Sequence, residues 1–204
     1  MVKKAKGAKI DIDDPKVKKY LICGVILLAL ISFVIGIGMS YNVSSEKRED
    51  LNQAADNEIL GEIKIVTIQT EKGNIEIELY PKAMPITVSN FVRLIEDGFY
   101  DGLTFHRVED WVIQGGCPRN DGTGGPGWSI ELEVDPDLKN RRGMVAMARS
   151  SDPNSAGSQF YILKKDADWL DGEYAVFGKV IKGMDVVDKI EKGDKINSII
   201  IDAM

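Results

Sequence analysis

One histidine and two cysteines stand in 204 residues, and each scarcity removes a class of chemistry. Structural zinc needs clustered Cys and His ligands and finds none here. A disulfide between Cys23 and Cys117 is implausible, because Cys23 lies inside a long apolar run. Any catalytic triad or general-base scheme must use His106. No serine occupies a nucleophile elbow, since Gly157-Ser158-Gln159 lacks the second glycine. Cys117 has no second histidine to activate it and reads as a passive thiol. A basic stripe is also missing: residues 62–204 carry 17 basic against 24 acidic side chains, which excludes a nucleic-acid partner.

Charge is instead partitioned along the chain. Residues 1–19 hold seven Lys against three Asp, and residues 42–61 hold two basic and five acidic side chains. Between them Leu21 to Met39 is almost wholly apolar, with no charge from Lys19 to Glu46. A helix of about 20 residues rising about 1.5 Å each spans a bilayer core of about 30 Å. Tyr20 and Tyr41 bracket the run, and Lys16, Lys18 and Lys19 flank its N-terminal end. The expected organisation is a basic cytoplasmic segment (1–19), a transmembrane helix (20–41), a polar linker (42–61) and one domain (62–204). The positive-inside rule puts that domain outside a cell membrane. A cleaved signal peptide, giving a secreted protein, is the alternative.

The domain reads mostly as strand. Ile63–Ile68 and Asn74–Leu79 alternate, and Glu71-Lys72-Gly73 turns one into the other. After Pro85, the residues Val88, Phe91, Val92 and Ile95 fall at helical spacing and Gly98 supplies a stop. Further strands are expected at 143–148, 159–163, 175–180 and 196–201, with a short helix over 184–190. Trp128–Val134 looks extended. Many short strands with two helices point to a closed antiparallel barrel or sandwich capped by helices.

Phe105–Gly116 concentrates a cation, two aromatics, an amide and a Gly-Gly pair, and reads as two strands around a turn. Alternation places Phe105 and Arg107 on one face and His106 on the other, with Val112 and Gln114 sharing a face of the second strand. An always-charged guanidinium near apolar rings suits a grip on a carbonyl-bearing apolar ligand. His106 reads as a packed neighbour. Gly122-Thr123-Gly124-Gly125-Pro126-Gly127 satisfies G-x-G-x-x-G literally, but no helix follows, so it reads as a tight loop. What remains is a constellation without nucleophile, metal or cofactor.

Six segments, in order, resemble the cyclophilin family of peptidyl-prolyl cis-trans isomerases. They are Thr87-Val88-Ser89-Asn90-Phe91, Tyr100 through Arg107, Val112 through Gly116, Gly122 through Gly125, Asn154 through Ile162, and Trp169-Leu170-Asp171-Gly172 running on to Val176-Phe177-Gly178-Lys179-Val180. The resemblance covers about Ile63 to Ile201. It implies an eight-stranded closed antiparallel β-barrel capped by two α-helices, with the site on its outer face and no cofactor.

It also implies residue roles. Arg107 is catalytic by similarity. Trp111, Val112, Tyr161 and Leu170 line the proline pocket, with Tyr174 at its rim where many members carry His. Gln114 and Gln159 bond substrate backbone and Arg107, while Ala148 and the Arg149 main chain pair with the substrate strand. Trp169 borders the groove and is the expected contact for a cyclosporin-type ligand. Phe105, His106, Gly122 and Thr123 support the site. Trp111 stands where Phe is more common, and the segment joining it to Arg107 is one residue shorter than usual. The expected partners are proline-containing peptides, unfolded or exported proteins, and the membrane through residues 20–41. A non-catalytic proline-peptide-binding or scaffold module tethered to the membrane is the alternative function.

Overall fold

The computed structural model describes residues 65–202. The expected basic segment, membrane helix and linker lie outside the described residues. Among the described residues, no helix is long and apolar enough to cross a membrane.

Eight antiparallel strands form one sheet in the order β3-β4-β6-β5-β7-β2-β1-β8. They are β1 (Ile65–Thr70), β2 (Gly73–Leu79), β3 (Arg107–Val108), β4 (Val112–Gly115), β5 (Met144–Met147), β6 (Phe160–Leu163), β7 (Val176–Lys182) and β8 (Ser198–Ile201). Two helices accompany them, α1 (Pro85–Glu96) and α2 (Met184–Lys189). The β1–β2 turn is tighter than expected, with Thr70 paired to Gly73. Thr70 Oγ1 accepts from the Lys72 amide and donates to the Gly73 carbonyl, which carries the first strand two residues beyond Ile68.

The sheet is open, which corrects the expectation of a closed barrel. Its end strands β3 and β8 do not pair. The backbone beside them closes the gap instead. Gly102 N donates to Ile196 O, Ile196 N to Leu103 O, Phe105 N to Asp194 O, and Gly193 N to Phe105 O. A ladder cannot form there because β3 is only two residues long and its approach is irregular. Trp128–Val134, expected to be extended, contributes only an isolated bridge from Ile130 to Ala156.

Helix α1 begins at Met84, which has no capping side chain, and carries proline in its first turn. The Glu133 carboxylate reaches in from a distant loop and accepts from the Ile86 and Thr87 amides at 3.0 and 2.7 Å. A carboxylate is well suited to helix-start amides that lack intrahelical partners. Gly98, at φ +65°, ends the helix as the sequence predicts. The helix places Phe91 against Tyr100, Phe160 and Phe177, with ring centroids 5.2, 5.5 and 4.9 Å away. These rings centre the main core, to which the strands add Ile77, Ile113, Val145 and Ile162. Alternation sends Val112, Ala146, Tyr161 and Leu163 to the opposite face, where they form a second, smaller cluster. That cluster is the floor of the site.

Candidate active site

A cleft of about 560 Å³ opens over the second cluster. Of the expected site residues, Arg107, Trp111, Val112, Gln114, Ala148, Arg149, Tyr161, Leu170 and Tyr174 line it, with His106 and Gly122. Gln159 and Thr123 line an adjoining cleft of about 320 Å³, which shares Gln114, Gly122, Ala148 and Arg149. Trp169 stands at the rim, 65% exposed, with its ring edge-on to Trp111 at 5.5 Å.

Arg107 is set by the β3–β4 pairing, which aligns it with Gln114. Its Nη1 donates to Gln114 Oε1 at 3.2 Å, and its Nε donates to Glu109 Oε1 at 2.7 Å. The relay continues: Gln114 Nε2 donates to Gln159 Oε1 at 3.0 Å, and Gln159 Nε2 donates to the carbonyls of Gly122 and Gly124. A guanidinium can only donate, so each amide's orientation follows from the one before it. The glycine loop thus turns carbonyl oxygens towards Gln159, the reverse of the N–H cradle that a phosphate needs. Cys117 is buried and accepts from the Gly124 amide at 3.3 Å, which ties the same loop from below.

Two placements differ from the sequence reading. Phe105 is fully buried in the main core and does not share a face with Arg107. It packs where any side chain at Gly115 would stand, so its support is indirect. His106, expected to face away from Arg107, lines the same cleft. The cause of both is the same: β3 starts at Arg107, and residues 104–105 bond to 194–195 rather than to β4. The His106 ring nitrogens are buried without a hydrogen-bond partner. Burial, and then the Arg107 charge, lower its pKa, so the imidazole is neutral near pH 7.

The pocket floor is held by a polar network that sequence reasoning missed. Tyr161 OH donates to Asn140 Oδ1 at 2.8 Å, and Asp171 Oδ1 accepts from the backbone and side-chain nitrogens of Asn140. Asn140 is completely buried. Burial drives the Tyr161 phenol far above its ordinary pKa, so it stays a neutral donor. Nothing in the run around Asn140 marks it, because its partners lie 21 and 31 residues away. On the far wall Arg149 stacks over Tyr174 at 4.7 Å and bonds Glu173 and the Ser150 carbonyl. Its guanidinium therefore belongs to the wall, leaving its main chain for a ligand. Glu109, Asp121 and Lys192 also line the cleft and were not assigned from sequence.

The cleft thus offers an apolar floor, one oriented cation and backbone edges. A family model described as cyclophilin type peptidyl-prolyl cis-trans isomerase/CLD matches residues 65–202. The chain is 48% identical over 148 residues to a peptidyl-prolyl cis-trans isomerase of Helicobacter pylori, covering 70% of this chain and 90% of the relative. It is 45% identical over 132 residues to peptidyl-prolyl cis-trans isomerase B of Bacillus subtilis, covering 63% and 92%. The fold is similar to a crystal structure of a Cryptosporidium parvum cyclophilin-type isomerase determined in the presence of the dipeptide Ala-Pro. That similarity has a TM-score of 0.64 and 34% identity, and covers 69% of this chain and all of the other. With apolar floor, oriented arginine and whole-domain similarity in agreement, the chain belongs to the cyclophilin-type peptidyl-prolyl cis-trans isomerases.

Proposed function

We propose that Arg107 is the catalytic residue of this isomerase and that the cleft takes the proline of an extended peptide. Amide resonance sets a barrier of about 18–20 kcal/mol to rotation, and no covalent step is needed to lower it. Twisting the bond localises the lone pair on the prolyl nitrogen. A donor that meets this lone pair only in the twisted state accelerates the step without tightening the planar states. The observation that carries the reading is the orientation of Arg107. Two of its N–H groups are held by Glu109 and Gln114, and it lines the same cleft as Val112, Tyr161 and Leu170. The proline ring packs on that floor and on Trp111. Backbone of the peptide pairs along Ala148 and Arg149, with Gln114 and Gln159 supplying further bonds. The Ala-Pro dipeptide of the Cryptosporidium study supports a proline-bearing occupant. Trp169 at the rim is the proposed contact for a cyclosporin-type ligand.

The apolar run within residues 20–41 and its flanking lysines support a single-pass anchor, with the isomerase domain outside the membrane and exported proteins as clients. Arg107→Ala in the full chain should lower X-Pro isomerisation of a short peptide by at least about tenfold, for loss of one charged donor. Full activity in that variant refutes the role of Arg107. Protease added to intact cells should release the domain, and protection would refute the orientation.

A further inference from the structure

Glu109 lines the cleft on the short connection between β3 and β4. Its amide donates to the Val112 carbonyl at 2.8 Å, closing a loop whose two residues are Asp110 and Trp111. The shortness of this turn brings three side chains together. Glu109 Oε1 accepts from Arg107 Nε at 2.7 Å, and Oε2 accepts from the Trp111 indole at 2.8 Å. The Arg107 guanidinium lies over the Trp111 ring, 5.2 Å from its centroid. One carboxylate therefore holds both a cation and the ring that the cation stacks on.

We propose that Glu109 is a positioning residue of the isomerase, fixing the guanidinium of Arg107 and the indole of Trp111 in one arrangement so that donor and proline pocket are assembled together. This inference rests on the catalytic role given to Arg107. A guanidinium held only by Gln114 at Nη1 can pivot about that single bond. A second bond at Nε stops the pivot and aims the other Nη group. Orientation of this kind acts on the twisted state, where the donor angle matters, more than on the bound planar peptide.

Charge attraction alone does not explain the arrangement. Both side chains are close to half-exposed, at 41% and 46%, and such a pair adds little to stability. The acid's lowered pKa comes first from the Arg107 hydrogen bond, so the carboxylate is ionised throughout the neutral range. The other charged or titratable groups lining the cleft are His106, Asp121, Arg149, Tyr161, Tyr174 and Lys192. Arg149 is tied to Glu173 rather than to Glu109, and Asp121 accepts from Thr123 rather than from Arg107.

The test uses the full chain with Glu109→Gln, which keeps one neutral acceptor, and Glu109→Ala, which keeps none. The expected result is a graded fall in kcat, about threefold for Gln and about tenfold for Ala, with KM within about twofold. Urea unfolding midpoints should stay at the wild-type value. The Arg107 Nε–H resonance should be protected from exchange in the wild type and become fast-exchanging in Glu109→Ala. Wild-type kcat in both variants, with Arg107→Ala impaired, overturns the inference while leaving the role of Arg107 standing. An unchanged Nε–H resonance in Glu109→Ala overturns it as well. Full activity in Arg107→Ala removes both readings.

Discussion

Replacing Gln159 by glutamate keeps the shape of the side chain and removes its donors. In the structure Nε2 of Gln159 donates to the Gly122 and Gly124 carbonyls at 2.9 and 2.8 Å, while Oε1 accepts from Gln114. In Gln159→Glu both carbonyls face an anionic oxygen instead of an N–H. Gly122 is exposed and Gly124 half-buried, so water replaces part of what is lost. The expected destabilisation is about 1–2 kcal/mol at pH 7. Its pH dependence has a definite sign. Two acceptors facing the new carboxyl favour its protonated form, raising its pKa above the ordinary value of about 4.3. The folded state then binds that proton more tightly than the unfolded chain does. The pH-dependent part of the penalty is therefore absent below about pH 4.3 and grows as pH rises to the raised pKa. Urea unfolding of wild type and variant at pH 4.5 and pH 7 measures the gap. A gap that stays constant or narrows as pH rises would show that donated bonds do not hold the loop. Isomerase activity should fall severalfold at pH 7 through the loosened glycine loop, since the new carboxylate still accepts from Gln114.

Gly116→Ala should be more damaging to the fold than any surface change, by more than about 2 kcal/mol in urea unfolding. Gly116 sits at φ +82°, and a Cβ there would run into the Ser158 carbonyl, a backbone atom that cannot swing away. A stability loss below about 0.5 kcal/mol would contradict that packing. His106→Asn should flatten the acid side of the stability profile. Its pKa is lowered in the folded state, so the wild type loses stability as pH falls through the unfolded value near 6.5, until the folded pKa is passed. Unfolding midpoints of the two proteins should converge as pH falls from 7 to 5, and a constant difference would refute the burial argument.

Local pattern carried much of this fold in the sequence, and long-range pairing carried the rest. β2 and the outward row of Val112, Gln114 and Tyr161 were legible because period two is a property of each strand alone. Helix α1 was legible through Pro85 and Gly98, which mark its ends by their own dihedral preferences. The capping role of Glu133 was not, since the amides it meets are 46 and 47 residues away. The faces of Phe105 and His106 were misjudged for a related reason. Alternation assumes a continuous strand, and here residues 104–105 are claimed by the segment before β8. The open sheet has the same origin, because no periodicity reveals whether two edge strands meet. At the site, Arg107 and the two glutamines were found through motif resemblance. Asn140 and the placement of Glu109 were missed because their contacts lie in a partner's geometry rather than in a motif.

The pairing of β1 with β8 fixes the order in which this protein can be built. Val66 pairs with Ile201, so the first described strand waits for the last before its outer edge is covered. During synthesis β1 and β2 can pair as soon as they emerge, whereas Ile65–Thr70 keeps one row of backbone donors and acceptors open until residue 201 is made. Completion of the sheet thus waits for its last strand and is an event of high contact order, slow by nature and exposed to edge-to-edge association while it waits.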